Sequence, residues 1–144
     1  MANKMVFINL PVENLERSKA FFTALGYTFS PEYTDDKAAC LVLDEGHVYS
    51  MLITKPFFQT FIQGTEIADA TKVTEALLAL TCESREEVDL MMEKVLSSGG
   101  AEARPASDYG WMYARAFTDL DGHIWETFFM DESKKPANPG AEAQ

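Results

Sequence analysis

A chain of 144 residues with only two histidines and two cysteines offers few starting points for chemistry. His47 and His123 each follow a glycine in similar settings, Glu45-Gly46-His47-Val48-Tyr49-Ser50 and Asp121-Gly122-His123-Ile124-Trp125-Glu126. Two imidazoles in equivalent turns raise the question of a metal site. His123 and Glu126 are three apart on an expected strand, where side chains alternate between faces, so they cannot share an ion without a bulge. Turn histidines bonded to nearby backbone are the preferred reading. Cys40 and Cys82 lie in the apolar runs AACLVL and LLALTC, with no CxxC or histidine partner close in sequence. They read as small buried hydrophobes, not as a disulfide or a nucleophile. The densest chemistry lies at 109–117, where Tyr109, Trp111, Tyr113, Arg115 and Phe117 alternate with Met112, Ala114 and Ala116. On a strand, one of these sets faces a pocket and the other packs beneath a helix.

The elements that must position these groups occur twice. Residues 4–12 alternate Val6, Ile8, Leu10 and Val12 with Phe7, Asn9 and Pro11, which predicts a strand, and Asn14 then caps a helix that Gly26 closes. YTFSPEY, KAACLVL and HVYSMLI read as three further strands. TEALLALTC begins the second round, Ser84 and Glu87 form a capping box, Gly99 ends the helix, and 101–106, 110–118 and 123–130 supply three strands. Leu10 and Leu80 each precede their cap by four residues, an offset of 70 (80 − 10), and the Gly46 and Gly122 turns match at 76 (122 − 46). Two landmarks in the same order predict an internal duplication. The duplicated unit predicts helices outside a curved sheet whose inner face is the pocket.

Bulk properties narrow the partners. With 47% hydrophobic residues the chain has enough apolar material for a core. A net charge of -11, from 12 basic and 23 acidic residues, repels phosphate backbones and anionic lipid. A small molecule or another protein is the expected partner, with no nucleic acid and no membrane. The start MANKMVFINL lacks a secretory pattern and no apolar run approaches roughly 20 residues, so a cytoplasmic location is expected. Residues 132–144 read as a flexible tail. The connection 56–73, with Phe57, Phe58 and Phe61, reads as a lid, a dimer contact or plain packing.

LPVENLERSKAFFTALGY near the start, the repeated unit, and FTDLDGHIWE near the end carry a resemblance. Together they cover 4–131, and the chain resembles the glyoxalase, bleomycin-resistance and extradiol-dioxygenase superfamily, also called the vicinal oxygen chelate superfamily. The branch it looks like is the one labelled predicted lactoylglutathione lyase. Leu120 stands where that family usually has proline. The resemblance implies an α+β fold: two tandem βαβββ units forming a curved, cleft-bearing mixed sheet with helices outside. It implies one domain over 1–131 (unit one 4–55, linker 56–73, unit two 74–131) and a homodimer.

In metal-dependent members the resemblance implies four ligands, one from the first and last strand of each unit. Those positions map to Phe7, Leu77, Glu126 and Ser50, with Met51 as the alternative to Ser50 if the register slips by one. Phe7 and Leu77 have no donor atom. Three of the four positions are thus lost, so no cofactor is the expected reading, with a divalent metal kept as the alternative.

With Phe7 inward, parity brings Met5 and Asn9 beside it, Leu77 inward on the second unit's first strand, and Ile124, Glu126 and Phe128 inward on the last. From 109–117 the aromatic set is assigned to the cavity. The expected site is an aromatic slot of Phe7, Asn9, Ser50, Leu77, Trp111, Tyr113, Arg115, Glu126 and Phe128. Arg115 and Glu126 either orient a ligand or pair with each other across the sheet. Two functions follow: a metal-free small-molecule binder like the bleomycin-resistance branch, or a lyase, isomerase or dioxygenase acting on a small carbonyl or aromatic substrate with Glu126 as base or ligand.

Overall fold

A computed structural model describes residues 1–142. The chain forms two compact units, Met1–Asp69 and Ala70–Gln144, and the division falls inside the expected connection. Each unit is βαβββ, as the duplication predicts. Unit one holds β1 (Val6–Val12), α1 (Leu15–Ala24), β2 (Thr28–Ser30), β3 (Ala38–Asp44), β4 (Val48–Thr54) and the short α2 (Lys55–Gln59). Unit two holds β5 (Leu77–Thr81), α3 (Arg85–Ser97), β6 (Ala101–Asp108), β7 (Met112–Thr118) and β8 (Ile124–Met130).

Strand pairing makes two four-stranded sheets, ordered β1-β4-β3-β2 and β5-β8-β7-β6. Both are mixed: β1 runs parallel to β4 and β5 to β8, while the other pairs are antiparallel. The mixture follows from connectivity. A helix crossover can return the chain parallel, and hairpins turn it antiparallel.

The helix starts are fixed by side chains that take up free backbone N–H groups. Asn14 accepts from the Arg17 N–H at 3.0 Å. Ser84 accepts from the Glu87 N–H at 3.1 Å, while Glu87 accepts from the Glu83 N–H at 2.7 Å, one residue before the position an ideal capping box uses. The buried side of α1 is Leu15, Ser18, Phe21 and Phe22, and that of α3 is Val88, Met92 and Val95. Beneath α1, Ala39, Leu41, Ser50 and Leu52 have no exposed surface and share one sheet face by register. Each buried leucine contributes roughly 2 kcal/mol by leaving water.

Two expectations about element boundaries change. The strand expected over 27–33 shortens to three residues because Pro31 opens a 3-10 turn, Pro31–Tyr33. The connection carries α2, and Lys37 stacks over the Phe57 ring 5.6 Å from its centre. In the tail, Asp131 caps a turn at Glu132–Lys134, a further turn spans Pro139–Glu142, and residues 143–144 lie outside the described residues. No helix among the described residues is long and apolar enough to cross a membrane.

Candidate functional site

In unit two, α3 decides which sheet face is which. Asp89 on α3 accepts from the Tyr113 hydroxyl at 2.6 Å and from Arg115 Nη1 at 3.1 Å, so Tyr113 and Arg115 point to the helix side. Arg115 Nη2 also donates to Glu102 at 2.6 Å. The Tyr113 hydroxyl holds the Asp89 carboxyl below its ordinary pKa, with Arg115 adding to the effect, and the same bond raises Tyr113. Arg85 reaches over the Tyr113 ring, 4.9 Å from its centre, and clasps both oxygens of Asp108 at 2.8 and 2.9 Å. That clasp, with the Gly110 N–H, lowers Asp108 to about 2. The network fastens α3 to β7 and the hairpin before it.

The aromatic slot is therefore a correction. Tyr113, Arg115 and Phe117 share their face with Trp125, Thr127 and Phe129 by register, and the alternation sends Met112, Ala114, Ala116 and Thr118 to the other side. Arg115 does not meet Glu126. Its partners are Asp89 and Glu102. Trp111 lies before β7, buried, its carbonyl accepting from the Asp131 N–H at 2.6 Å and its indole N–H unbonded.

Glu126 stands on the face away from α3. Its register neighbours are Ala79 and Ala116, and the same face carries Leu77, Ile124 and Phe128. Arg104, opposite Ala116 on β6, extends over that alanine and its Nη2 donates to Glu126 Oε2. The guanidinium side chain is 40% exposed and the carboxylate side chain 21%. Sequence reasoning missed Arg104. β6 is an edge strand with register shifts on both sides of Arg104, and Pro105 beside it removes a ladder donor, so simple alternation fails there.

In unit one, β1 and β4 bring Phe7, Asn9, Tyr49 and Met51 to one face, with Phe7 stacked on Tyr49 at 4.9 Å. Ser50 is the second correction. It pairs with Ile8 and Leu41 on the opposite face, has no exposed surface, and its hydroxyl has no hydrogen-bond partner. Phe7↔Tyr49 corresponds to Leu77↔Ile124, so the counterpart of Glu126 is Met51, at an offset of 75 (126 − 51), not Ser50.

The turns differ likewise. Asp119 is buried and accepts from the Asp121 N–H, the His123 N–H and the Trp125 indole at 2.9, 3.1 and 2.9 Å. Burial raises its pKa against the opposing effects of His123 and those bonds. His47 lies exposed against Asp44 at 3.0 Å. Gly122 takes a φ of +91°, and a Cβ there would sit 3.0 Å from the backbone of Ala70 and Thr71. Gly46, at +83°, faces open space. Both cysteines are free thiols, each raised by burial first and by a nearby glutamate second.

The side chains at the family's ligand positions do not fit a divalent ion. Phe7 and Leu77 offer no donor, Met51 offers a soft thioether, and Glu126 is already engaged by Arg104. Among the described residues no three His, Cys, Asp or Glu side chains gather as a metal site would need. The face can place one carboxylate and one guanidinium beside apolar surface.

Residues 4–43 match the family model for the bleomycin resistance protein-like N-terminal region. No curated protein sequence matches the chain. Hypothetical protein SA1046 from S. aureus is 30% identical, covering 90% of this chain and 95% of its own, with a TM-score of 0.72. A glyoxalase-related enzyme from Fulvimarina pelagi shares the fold at 23% identity, 89% and 88% coverage and a TM-score of 0.72. So does the fosfomycin resistance protein FosX from Listeria monocytogenes, at 18% identity, 92% and 98% coverage and a TM-score of 0.65. With the duplicated βαβββ architecture and these likenesses together, the chain belongs to the glyoxalase/bleomycin resistance/dioxygenase superfamily, the vicinal oxygen chelate superfamily.

Proposed function

We propose that the protein binds a small molecule on the Glu126 face of unit two and does so without a resident divalent metal. The observation that carries this reading is the Arg104–Glu126 pair. It stands partly exposed over Ala116, with Leu77, at 65% exposure, on the same face. Charged groups bracketed by apolar surface can orient a ligand whose body gains from desolvation. The absence of donors at Phe7 and Leu77 supports the metal-free part. Dialysis against nickel, zinc, manganese and iron followed by plasma mass spectrometry is expected to leave well under one metal per chain. Stoichiometric metal overturns that part. A thermal-shift ligand screen is expected to yield saturable binders that Glu126→Gln weakens, and binders indifferent to Glu126 and Arg104 overturn the assigned face.

A lyase or isomerase reading rests on the same carboxylate. Glu126 Oε2 is held by Arg104, which fixes the group's position and leaves Oε1 to meet a proton next to a carbonyl. Turnover of a small carbonyl compound that disappears in Glu126→Gln would favour it over simple binding. The homodimer expected from the resemblance belongs to this proposal too, and a monomeric mass in solution removes it.

A further inference from the structure

We propose that the site selects a neutral polar edge, a hydrogen-bond donor and acceptor on neighbouring atoms as in a carboxamide, lactam or ureide, rather than a net charge. The inference rests on the ligand-binding reading above and names its substrate class.

Glu126, Ala116 and Arg104 form one row across β8, β7 and β6. Ala116 has no exposed surface and no side chain beyond Cβ, so the Arg104 side chain can cross it to reach the Glu126 carboxylate. The contact uses one atom from each partner, Nη2 and Oε2. Glu126 Oε1 and Arg104 Nη1 and Nε have no other partner among the described residues. The pair therefore cancels its own charge while keeping an acceptor and donors unspent.

This arrangement discriminates by charge. An anion gains Arg104 only by displacing or facing the Glu126 carboxylate, and a cation gains Glu126 only against the guanidinium. A neutral group that both donates and accepts engages Oε1 and the free guanidinium N–H groups with the pair intact. Leu77, Ile124 and Phe128 on the same face suit an apolar remainder. Unit one supplies an internal contrast, because the corresponding row carries Met51, Cys40 and Ser30, none of them charged.

The test is a titration of the isotopically labelled full chain, followed by NMR, with benzamide, benzoate and benzylammonium. The expected result is saturable shifts at Leu77, Ala114 and Ala116 with benzamide, and binding weaker by about tenfold for the two charged probes, each of which leaves one partner poorly matched. In Glu126→Gln the preference should move to benzoate, and in Arg104→Gln to benzylammonium, because each change frees one charge. Benzoate or benzylammonium saturating the same resonances more tightly than benzamide in the unaltered chain overturns the neutral-edge inference and leaves ligand binding at this face standing. No shift at these residues with any probe overturns the inference together with the site assignment beneath it.

Discussion

The two units lay different chemistry on the same frame of strands. Reading across each sheet, unit one gives Asn9, Met51, Cys40 and Ser30, and unit two gives Ala79, Glu126, Ala116 and Arg104. The third place is small and fully buried in both. The second and fourth places differ by a full pair of charges. On the helix side the contrast reverses: Ser50 in unit one corresponds to Trp125 in unit two, since Ile8↔Ser50 matches Leu78↔Trp125. A duplicated backbone thus fixes where groups stand, while the residues at each place decide what each half presents there.

Substitutions at matched places break or sharpen this comparison. The largest effect is expected at Trp125, buried with its indole on Asp119: Trp125→Ala should cost about 4 kcal/mol in denaturant unfolding. Ser50→Ala at the matching place should be neutral or slightly stabilising, because it removes a buried hydroxyl that has no partner. A large loss there would mean the hydroxyl is satisfied. Asp119→Ala strands three N–H donors and should cost about 3 kcal/mol by the same measurement. Asp44→Ala, in the exposed turn of unit one, should leave the unfolding midpoint unchanged.

Next come the turn glycines. Gly46→Ala meets only the left-handed backbone penalty, about 1 kcal/mol, whereas Gly122→Ala must also move the backbone of residues 70–71 and should cost about twice that. Equal losses would show that the 70–71 contact is soft.

Acid titration offers a smaller effect. Asp108 has its folded pKa lowered to about 2 from an ordinary 3.8, so it binds fewer protons folded than unfolded. The stabilisation is present above pH 3.8 and is lost as pH falls through about 2. Asp108→Asn should flatten the fall in melting temperature over that window. The smallest expected change is at the site itself: Arg104→Gln and Glu126→Gln should each alter stability by about 0.5 kcal/mol or less, since the pair is partly solvated, while changing ligand preference.

Much of the frame was legible in the residues. The caps at Asn14 and Ser84 and the strand-helix-strand repeat depend on short-range rules and stand where the sequence places them. Which side chains face the site was harder to read, because each error there turns on a single residue. The β3–β4 turn has three steps from Gly46 to Tyr49, and the β7–β8 turn has two from Gly122 to Ile124. Aligning the glycines therefore sends Ser50 to the wrong face. Tyr113 and Arg115 were misread for another reason. Long amphipathic side chains cover a sheet beneath a helix and still carry their polar tips to its rim, here to Asp89. Alanine suits the open face because something else has to lie across it.

The parallel pairing of first and last strands bears on how the chain is made. Val6 pairs with Val48, 42 residues later (48 − 6), and Leu77 with Ile124, 47 later (124 − 77). During synthesis at about 5–20 residues per second, β1 would leave the ribosome roughly 2–8 seconds before its partner exists. Through that interval a nascent strand bearing Val6, Phe7 and Ile8 has no sheet to join. Long-range closure of this kind slows folding, because the entropy of closing each loop is spent before the strand contacts reward it.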